Sequence, residues 1–388
     1  MKGMKQCMAG LLLLMVASHG AWAEVTCAAL SGTPRTDTVQ LTPAIISAGA
    51  DVPLGTVIYQ GRWFGSDPGQ QFLCIVPDNK NIWLDVVLGI KSAPKPLSNW
   101  TGGPFGGAVY ETNIPGIGIA ISRNNNADAA TLSQPSHQFP NGVERVVTGG
   151  SHGGFLLNRT LYVSLIKTGP ITPGNYTLDA SQLPAAYLYI DNAAGRPYLQ
   201  GLPISLNAIQ FQGQLTVSTQ TCSTPDVNVP MGSFESREYF TGINATTPWV
   251  DASILLTGCP TFHGFYNADN STLMFDYSTR KGLVAESTSN SVGVRVTPST
   301  SVIDSPNGIM SIDRSLPNAA SGVGIQLGWG SNSGNPALFD FATEKPFQLP
   351  KDGRSEIKIP LAARYIQTDN MVTPGKASGK AVFLINYY

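Results

Sequence analysis

The sequence predicts an all-β protein built from β-sandwich domains, and three observations lead to this. The 388 residues include 41 glycines and 28 prolines, and only 13% of residues are charged. Clusters of Gly, Pro and Asn interrupt short apolar runs, which is typical of strands joined by turns. No stretch of about 12 residues has a convincing apolar period of 3.6 residues, so long amphipathic helices are not expected. We therefore expect sandwiches of the immunoglobulin or jelly-roll type.

The first 23 residues have the three parts of a secretory signal peptide. Two lysines form a basic start, Met8–Ala17 is an apolar run with four consecutive leucines, and Ala21-Trp-Ala23 is a small-x-small cleavage site. The mature chain should begin at Glu24, and Cys7 leaves with the signal. No later run approaches about 18 uninterrupted apolar residues, so we expect export without a transmembrane anchor.

The charge pattern excludes two classes of partner. The net charge is −1, and no cluster of five or more Lys and Arg residues occurs. Nucleic acid and anionic membrane surfaces are therefore not expected partners.

Four cysteines remain after cleavage: Cys27, Cys74, Cys222 and Cys259. Four cysteines allow three connectivities, and we infer sequential pairing, which gives one bridge per domain. In an exported chain each bridge would contribute about 2 to 4 kcal/mol. No C-x-x-C pair is present, which argues against a structural zinc or a redox site, and no cofactor is expected.

The chain divides into a signal peptide (1–23), a first domain (24–217), a linker (218–221) and a second domain (222–388). The boundary follows Ile209–Val217, which alternates apolar and polar residues as the closing strand of a domain would. Because the linker is short, we expect two sandwiches stacked end to end with restricted hinge motion. Residues 260–320 are longer and more polar than middle strands should be, so their register stays open.

The first domain contains six candidate strands and a further turn followed by a strand. They are Asp51–Ile58, Gly69–Ile75, Ile82–Ile90, Gly116–Ser122, Gly142–Val147 and Leu156–Lys167, and then Thr172–Leu178.

The stretch around which the rest of the chain is organised is the last one, Gly375–Tyr388. From Ala381 onward, alternate residues point to opposite sides of an extended chain: Ala381, Phe383, Ile385 and Tyr387 to one side, and Val382, Leu384, Asn386 and Tyr388 to the other. A terminal strand this apolar needs a partner along its edge, since chain ends are otherwise frayed and polar.

Three further motifs precede this strand in order: Gly322-Val-Gly-Ile-Gln-Leu-Gly328, Ile359-Pro-Leu-Ala-Ala-Arg-Tyr365 and Val372-Thr-Pro-Gly375. With Gly375 near the end and Tyr387 at the penultimate position, they resemble pilus subunits of the chaperone-usher pathway. The resemblance implies an immunoglobulin-like sandwich that lacks its last strand, which a periplasmic chaperone and later the next subunit supply by β-strand addition. It also implies that the Cys222–Cys259 bridge ties the first two strands. The residues it implies for chaperone and subunit binding are Gly375, Ala381, Phe383, Ile385, Tyr387 and Tyr388.

A whole domain stands where an ordinary pilin carries its donor extension, so the chain is similar to two-domain fimbrial tip adhesins, which include a mannose-binding member. A subunit that accepts a strand but donates none must cap the fibre. This resemblance implies a non-enzymatic adhesin, exported through the periplasm to the pilus tip. The implied partners are a periplasmic chaperone, an outer-membrane usher, the next subunit and a host glycan.

Asp and Asn residues in loops are the candidate glycan ligands, because sugar hydroxyls need donors and acceptors that converge. Asx residues are also the commonest turn formers, so a purely structural role is open for each of them. By resemblance to the mannose-binding member, the candidates are Glu24 as the terminal amine, Asp78 and Asn79 after the second cysteine, and a later loop. That loop is either Tyr189–Gly195, with Asp191 and Asn192, or Arg123–Asp128, with Asn125 and Asp128.

Three other functions are open to the sequence. Gly149-Gly-Ser-His-Gly153 matches the G-x-S-x-G pattern of a hydrolase with Ser151 as nucleophile, but a helix should follow such an elbow, and Phe155–Val163 has the pattern of a strand. His137 and His152 could in principle meet over a metal, although lone loop histidines are more often solvated. The runner-up to the adhesin is a minor pilus subunit whose first domain binds protein or serves as a spacer.

Overall fold

The computed structural model describes residues 25–65, 71–76, 79–147, 150–153 and 159–388, so the predicted signal peptide and Glu24 lie outside it. Strands dominate, with one short 3₁₀ turn (Ala180–Gln182) and one helical turn, α1 (Ser236–Tyr239). The prediction of an all-β protein is confirmed. Within the described ranges, no helix has the length and apolar character needed to cross a membrane.

Residues 25–218 contribute the first set of strands. They are β1 (Thr26–Ala29), β2 (Arg35–Gln40), β3 (Ile45–Ser47), β4 (Val57–Gly65), β5 (Phe72–Val76), β6 (Lys80–Ser92), β7 (Tyr110–Glu111), β8 (Ile117–Asn124), β9 (Ala127–Ala129), β10 (Ser136–His137), β11 (Val143–Val147), β12 (Gly150–Gly153), β13 (Arg159–Lys167), β14 (Asn175–Asp179), β15 (Ala185–Asn192), β16 (Ile204–Gln212) and β17 (Gln214–Ser218).

The remaining strands follow residue 249. They are β18 (Val250–Asp251), β19 (Ile254–Leu256), β20 (Thr272–Asp276), β21 (Lys281–Leu283), β22 (Ser291–Pro298), β23 (Val302–Asp304), β24 (Ile309–Ser311), β25 (Val323–Trp329), β26 (Ala337–Leu338), β27 (Lys345–Gln348), β28 (Ile357–Ile359), β29 (Leu361–Gln367) and β30 (Ala381–Tyr387).

Two large sheets form the first sandwich. One has the order β10-β6-β15-β16-β2, and the other contains β4-β13-β8-β7. Their inner faces share one core, in which Trp63 and Leu165 from the second sheet pack with Leu88 and Leu188 from the first. Each of these side chains is almost fully buried, because both sheets turn their apolar face inward.

Most predicted strands are found near their expected places, but two predictions are wrong. Asp51–Ile58 is not a strand: residues 51–56 form turns around Pro53 and Gly55, whose φ is +87°, and β4 begins only at Val57. Ile209–Val217 is not one closing strand but parts of two, β16 and β17. Between them Gly213 has a φ of +85°, and the chain there leaves one sheet for another.

Part of residues 260–320, whose register the sequence left open, joins the first sandwich, while β22, β23 and β24 belong to the second. β20 runs parallel to β4, with Thr272 opposite Gly61, and the β20–β21 hairpin thereby extends the β4-β13-β8-β7 sheet. Met274 is buried in the first core, and Gly61 leaves room for it: a Cβ there would lie 2.5 Å from its sulfur. The predicted domain boundary at 218–221 stays a prediction, but this sheet includes strands from both sides of it.

The second sandwich packs the sheet β18-β29-β25-β24-β23 against β27-β22-β30 and the β19–β28 pair. Its main core includes Val294, Leu361 and Tyr387 from these different sheets. The disulfides join Cys27 to Cys74 and Cys222 to Cys259, which is the sequential pairing.

Candidate functional site

The alternation predicted for the last strand is present in β30. Tyr387 is buried, and the side chains of Ala381, Phe383 and Ile385 pack against the second core. On the opposite face, Val382 and Leu384 are 59% and 55% exposed. The last strand is therefore anchored by one face and open on the other.

One edge of β30 is paired and the other is open. β22 runs antiparallel along one edge, with Val292 opposite Tyr387. Ser291 and Tyr388 exchange backbone hydrogen bonds of 3.1 and 2.8 Å, and Ser299 N donates to Lys380 O at 2.8 Å. Because hydrogen-bonded and non-bonded pairs alternate in an antiparallel ladder, even-numbered residues of β30 bond to β22, and the N–H and C=O groups of odd-numbered ones point the other way. No strand of the described chain pairs with that second edge.

An apolar groove runs beside the open edge. It has a volume of about 640 Å³ and lies between residues 226–232, which are not in a strand, and residues 377–383. Met310, Ile325 and Leu361 from the sandwich interior form part of its floor. A second cavity of about 1020 Å³ continues along β30 to Ala50–Leu54 of the first sandwich. An unpaired edge with an apolar groove is the arrangement that accepts an added strand.

Gly375 permits a close crossing at the start of this region. A Cβ there would lie 2.6 Å from both Ala320 N and Asn318 O, so any larger residue would displace the crossing segment. The contact is held by Lys376, whose N–H donates to Asn318 O at 2.7 Å and whose carbonyl accepts from Ala320 N at 2.9 Å. Gly375 therefore positions the chain that leads into β30.

Three of the predicted ligand residues lie within two residues of β1 or β6 in the sequence. Glu24 and Asp78 lie outside the described residues, and Asn79 is exposed just before β6. β1 pairs antiparallel with β5, with Thr26 opposite Ile75, so the start of β1 lies beside the end of β5. Gln200 bonds to Val25 and Cys27 on the other side of β1. The start of β1, the end of β5 and the segment before Gln200 therefore share one end of the domain.

Asp191 and Asn192 are placed differently from the prediction of a loop over Tyr189–Gly195. Residues up to Asn192 belong to β15, in which Ile190 is fully buried. The turn begins at Ala193. Asn192 Oδ1 accepts from Leu199 N at 2.8 Å, which closes the following turn. Asn192 is opposite Leu84 on β6, and Asn79 lies five residues earlier, about 16 Å away at the usual strand rise. A ligand role for Asp191 or Asn192 stays a prediction.

The structure adds an aromatic and acidic cluster on β15 and β6 that the sequence analysis did not predict. The rings of Tyr187 and Tyr189 stack 5.1 Å apart, and Asp191 is directly opposite the buried Asp85. Asp85 Oδ2 lies 2.7 Å from His137 Nδ1. Burial raises the pKa of Tyr189 to about 12, with further contributions from Tyr187 and the two carboxylates. The missed signal was the two-residue spacing of Tyr187, Tyr189 and Asp191, which share one strand face.

Asn125 lies in the turn between β8 and β9, whereas Asp128 lies within β9, and the polar groups of both contact the protein itself. Asn125 Nδ2 donates to Ala268 O at 3.2 Å, which ties the hairpin to the segment before β20. Asp128 has a φ of +59° and forms an ion pair of 3.0 Å with Arg123. A ligand role for either residue stays a prediction.

The catalytic and metal alternatives receive no support from the backbone. Ser151 lies within β12 and is paired with Ile75 of β5, so it does not sit at a turn between a strand and a helix. His137 contacts Asp85, and across the described residues no group of three or more His, Cys, Asp or Glu side chains could hold a metal ion.

The C-terminal half of the chain matches a known protein family. Residues 209–388 match the family model described as "Fimbrial protein". The match confirms the resemblance to fimbrial proteins that the motifs of the C-terminal region predicted, and it supports the prediction of a protein that is not an enzyme. No curated protein sequence matches the chain.

Solved structures show weaker likenesses. The chain is similar to the CupB6 tip adhesin from Pseudomonas aeruginosa, with 16% identity, 93% of this chain and 94% of that chain covered, and a TM-score of 0.33. The P pilus rod subunit PapA is 18% identical, with 43% of this chain and 99% of that chain covered and a TM-score of 0.29. The receptor binding domain of the adhesin MrkD1P of Klebsiella pneumoniae is 19% identical, with 51% of this chain and 98% of that chain covered and a TM-score of 0.26. TM-scores this low do not establish a shared fold, so the assignment of the C-terminal domain depends on its family model.

Proposed function

We propose that this protein is a non-enzymatic tip adhesin of a chaperone-usher fimbria. Its second sandwich accepts a strand along β30, and its first sandwich binds a host glycan. The single observation that carries the proposal is the open edge of β30 beside an apolar groove, in a domain that matches the fimbrial family.

The groove explains why partners are needed. Exposed apolar surface beside an unpaired edge favours aggregation, so a periplasmic chaperone would have to cover it and the next subunit's strand would replace the chaperone. An outer-membrane usher would catalyse that exchange at the cell surface. The predicted export signal and the two disulfides agree with passage through the periplasm.

Strand acceptance is tested by capture on a periplasmic chaperone co-expressed with the full chain. Deleting Ala381–Tyr388 removes the accepting edge, so capture should be lost. The matched control replaces Val382 and Leu384 together with threonine, because both side chains lie on the outer face and leave the backbone edge intact. Undiminished capture of the deleted chain would refute strand acceptance at β30.

Glycan recognition is tested on a glycan array with the full chain held by its chaperone. The isolated first domain is unsuitable because β20 from the second half completes its sheet. Asp78→Ala or Asn79→Ala should abolish recognition, while Asp369→Ala, at an exposed residue after β29 of the second sandwich, should retain it. If no glycan is bound, the first domain is a spacer or binds protein, and the adhesin proposal is wrong.

A further inference from the structure

The open edge of β30 does not run to the end of the strand. Its odd-numbered residues present backbone N–H and C=O groups away from β22, and Ala381, Phe383 and Ile385 do so beside the groove and the adjoining cavity. At Tyr387 both groups are already bonded, and the partner comes from the first sandwich. Asp51 Oδ2 accepts from Tyr387 N at 2.8 Å, and Asp51 N donates to Tyr387 O at 3.0 Å. One residue of the first sandwich thus occupies the position that the next residue of an added strand would take.

The turn that carries Asp51 is fixed from two sides. Gly49 approaches the last residues so closely that a Cβ there would lie 2.3 Å from Tyr387 O. On the other side, the buried Lys167 donates to the carbonyls of Ala50 and Val52, the latter at 2.8 Å. Burial lowers the pKa of this lysine, and the negative charge of Asp51 opposes that effect. Lys167 therefore holds the turn in place on one side, and Gly49 allows the turn to lie close to Tyr387 on the other.

We propose that Asp51 is a stop for strand addition: it ends the ladder at Ile385 and thereby sets the register of the incoming strand. The partner that fits is an extended segment whose alternate apolar side chains enter the groove while its backbone pairs with Ala381, Phe383 and Ile385. Its last paired residue then abuts residues 50–54 of the first sandwich, which line the adjoining cavity. This inference rests on the proposed strand acceptance, but the stop itself exists without a bound strand.

The consequence is a limit on useful length. Each added residue that pairs with the edge gains backbone bonds until the strand reaches Asp51, and a longer strand gains no more unless it displaces that carboxylate. Removing the carboxylate should let the ladder extend to Tyr387. Asp51 should therefore protect the Tyr387 amide from exchange when the added strand is short, and it should prevent a longer strand from binding more tightly.

The test uses the full chain refolded with synthetic peptides of alternating Val and Thr, of graded lengths and with a lysine at each end. Amide exchange at single residues of β30 and peptide affinity are measured for the wild type and for Asp51→Ala. In the wild type, Tyr387 N–H should be protected with every peptide, including the shortest, and affinity should reach a plateau with length. In Asp51→Ala, with the shortest peptide, this amide should exchange on the order of tenfold to a hundredfold faster, since a bond to a charged acceptor is lost. Longer peptides should restore its protection and bind more tightly.

Two further variants keep the result interpretable. Asp51→Asn retains an acceptor oxygen and should behave as the wild type does, whereas Lys167→Met removes the brace and should speed exchange at Tyr387 even if Asp51→Ala fails to fold. An amide of Tyr387 that is unprotected in the wild type, or unaffected by both Asp51→Ala and Lys167→Met, would overturn the proposed stop. If no peptide binds any variant, strand acceptance fails, while exchange at Tyr387 in the peptide-free chain still decides whether Asp51 caps the edge.

Discussion

Tyr387 anchors β30 to the core, and replacing it should lower the free energy of unfolding by an amount that reports the strength of this anchor. The side chain is 6% exposed, its ring stacks on Phe262 with centroids 6.4 Å apart, and its hydroxyl accepts from Cys222 N at 3.1 Å. Tyr387→Phe keeps the ring but leaves the buried N–H of Cys222 unpaired, which should cost about 1 to 3 kcal/mol. Tyr387→Ala also removes the ring from the core and should cost about 3 to 5 kcal/mol.

The assay is urea unfolding of the full chain bound to a complementing strand, followed by the midpoint and slope of the transition. Leu384→Ala is the matched control: it lies on the same strand but is 55% exposed, so its effect should stay within about 0.5 kcal/mol. If Tyr387→Phe is no more destabilising than Leu384→Ala, the hydroxyl does not hold Cys222 N–H and the anchoring described here is wrong.

Three further predictions follow from the packing. In the full chain bound to a complementing strand, replacing Thr272–Leu283 with a short glycine-serine linker should convert monomer to aggregate in size-exclusion chromatography, because β4 loses its parallel partner and Met274 leaves the core; an unchanged monomer would contradict this. Burial raises the pKa of Asp37, although Arg280 opposes this shift. The folded state therefore favours the protonated carboxyl, which stabilises the protein fully below the ordinary aspartate pKa of about 4. This stabilisation is lost as the pH rises through the raised pKa. Asp37→Asn should flatten that decline in urea midpoints, and an identical pH profile would refute the assignment. Gly201→Ala should cost more than about 1 kcal/mol, since its φ is +85° and the new Cβ would lie 1.9 Å from the backbone oxygen of Cys27, whereas Gly195→Ala, also left-handed but with open space, reports backbone strain alone; equal costs for the two would contradict the crowding.

The sequence was informative wherever a local pattern decides the structure. Alternation placed the inner and outer faces of β30 correctly, since a strand's period is fixed by its backbone. Cysteine order gave the two disulfides. Pro53 and Gly55 could also have been read correctly as a turn, and the strand predicted from Asp51 to Ile58 ignored that signal.

Contacts between residues far apart in the chain could not be predicted from local sequence patterns. Nothing local to Thr272–Asp276 shows that it adds to a sheet whose nearest partner, β4, lies some two hundred positions earlier. The contact of Asp51 with Tyr387 is equally non-local, and Asp51 alone looks like any turn residue. The candidate glycan residues were chosen by type, but type does not fix distance. Asn79 precedes β6, whereas Asn192 pairs with Leu84, five residues further along.

The central claim is that the second sandwich is incomplete until another strand joins β30. The most direct measurement compares the full chain, secreted alone, with the same chain carrying an alternating Val/Thr strand fused to its C-terminus by a flexible linker, using the monomer fraction and the thermal midpoint. The account predicts aggregation or degradation of the chain alone and a stable monomer of the fused chain. A chain that is monomeric without any added strand, and gains no stability from the fusion, would contradict it.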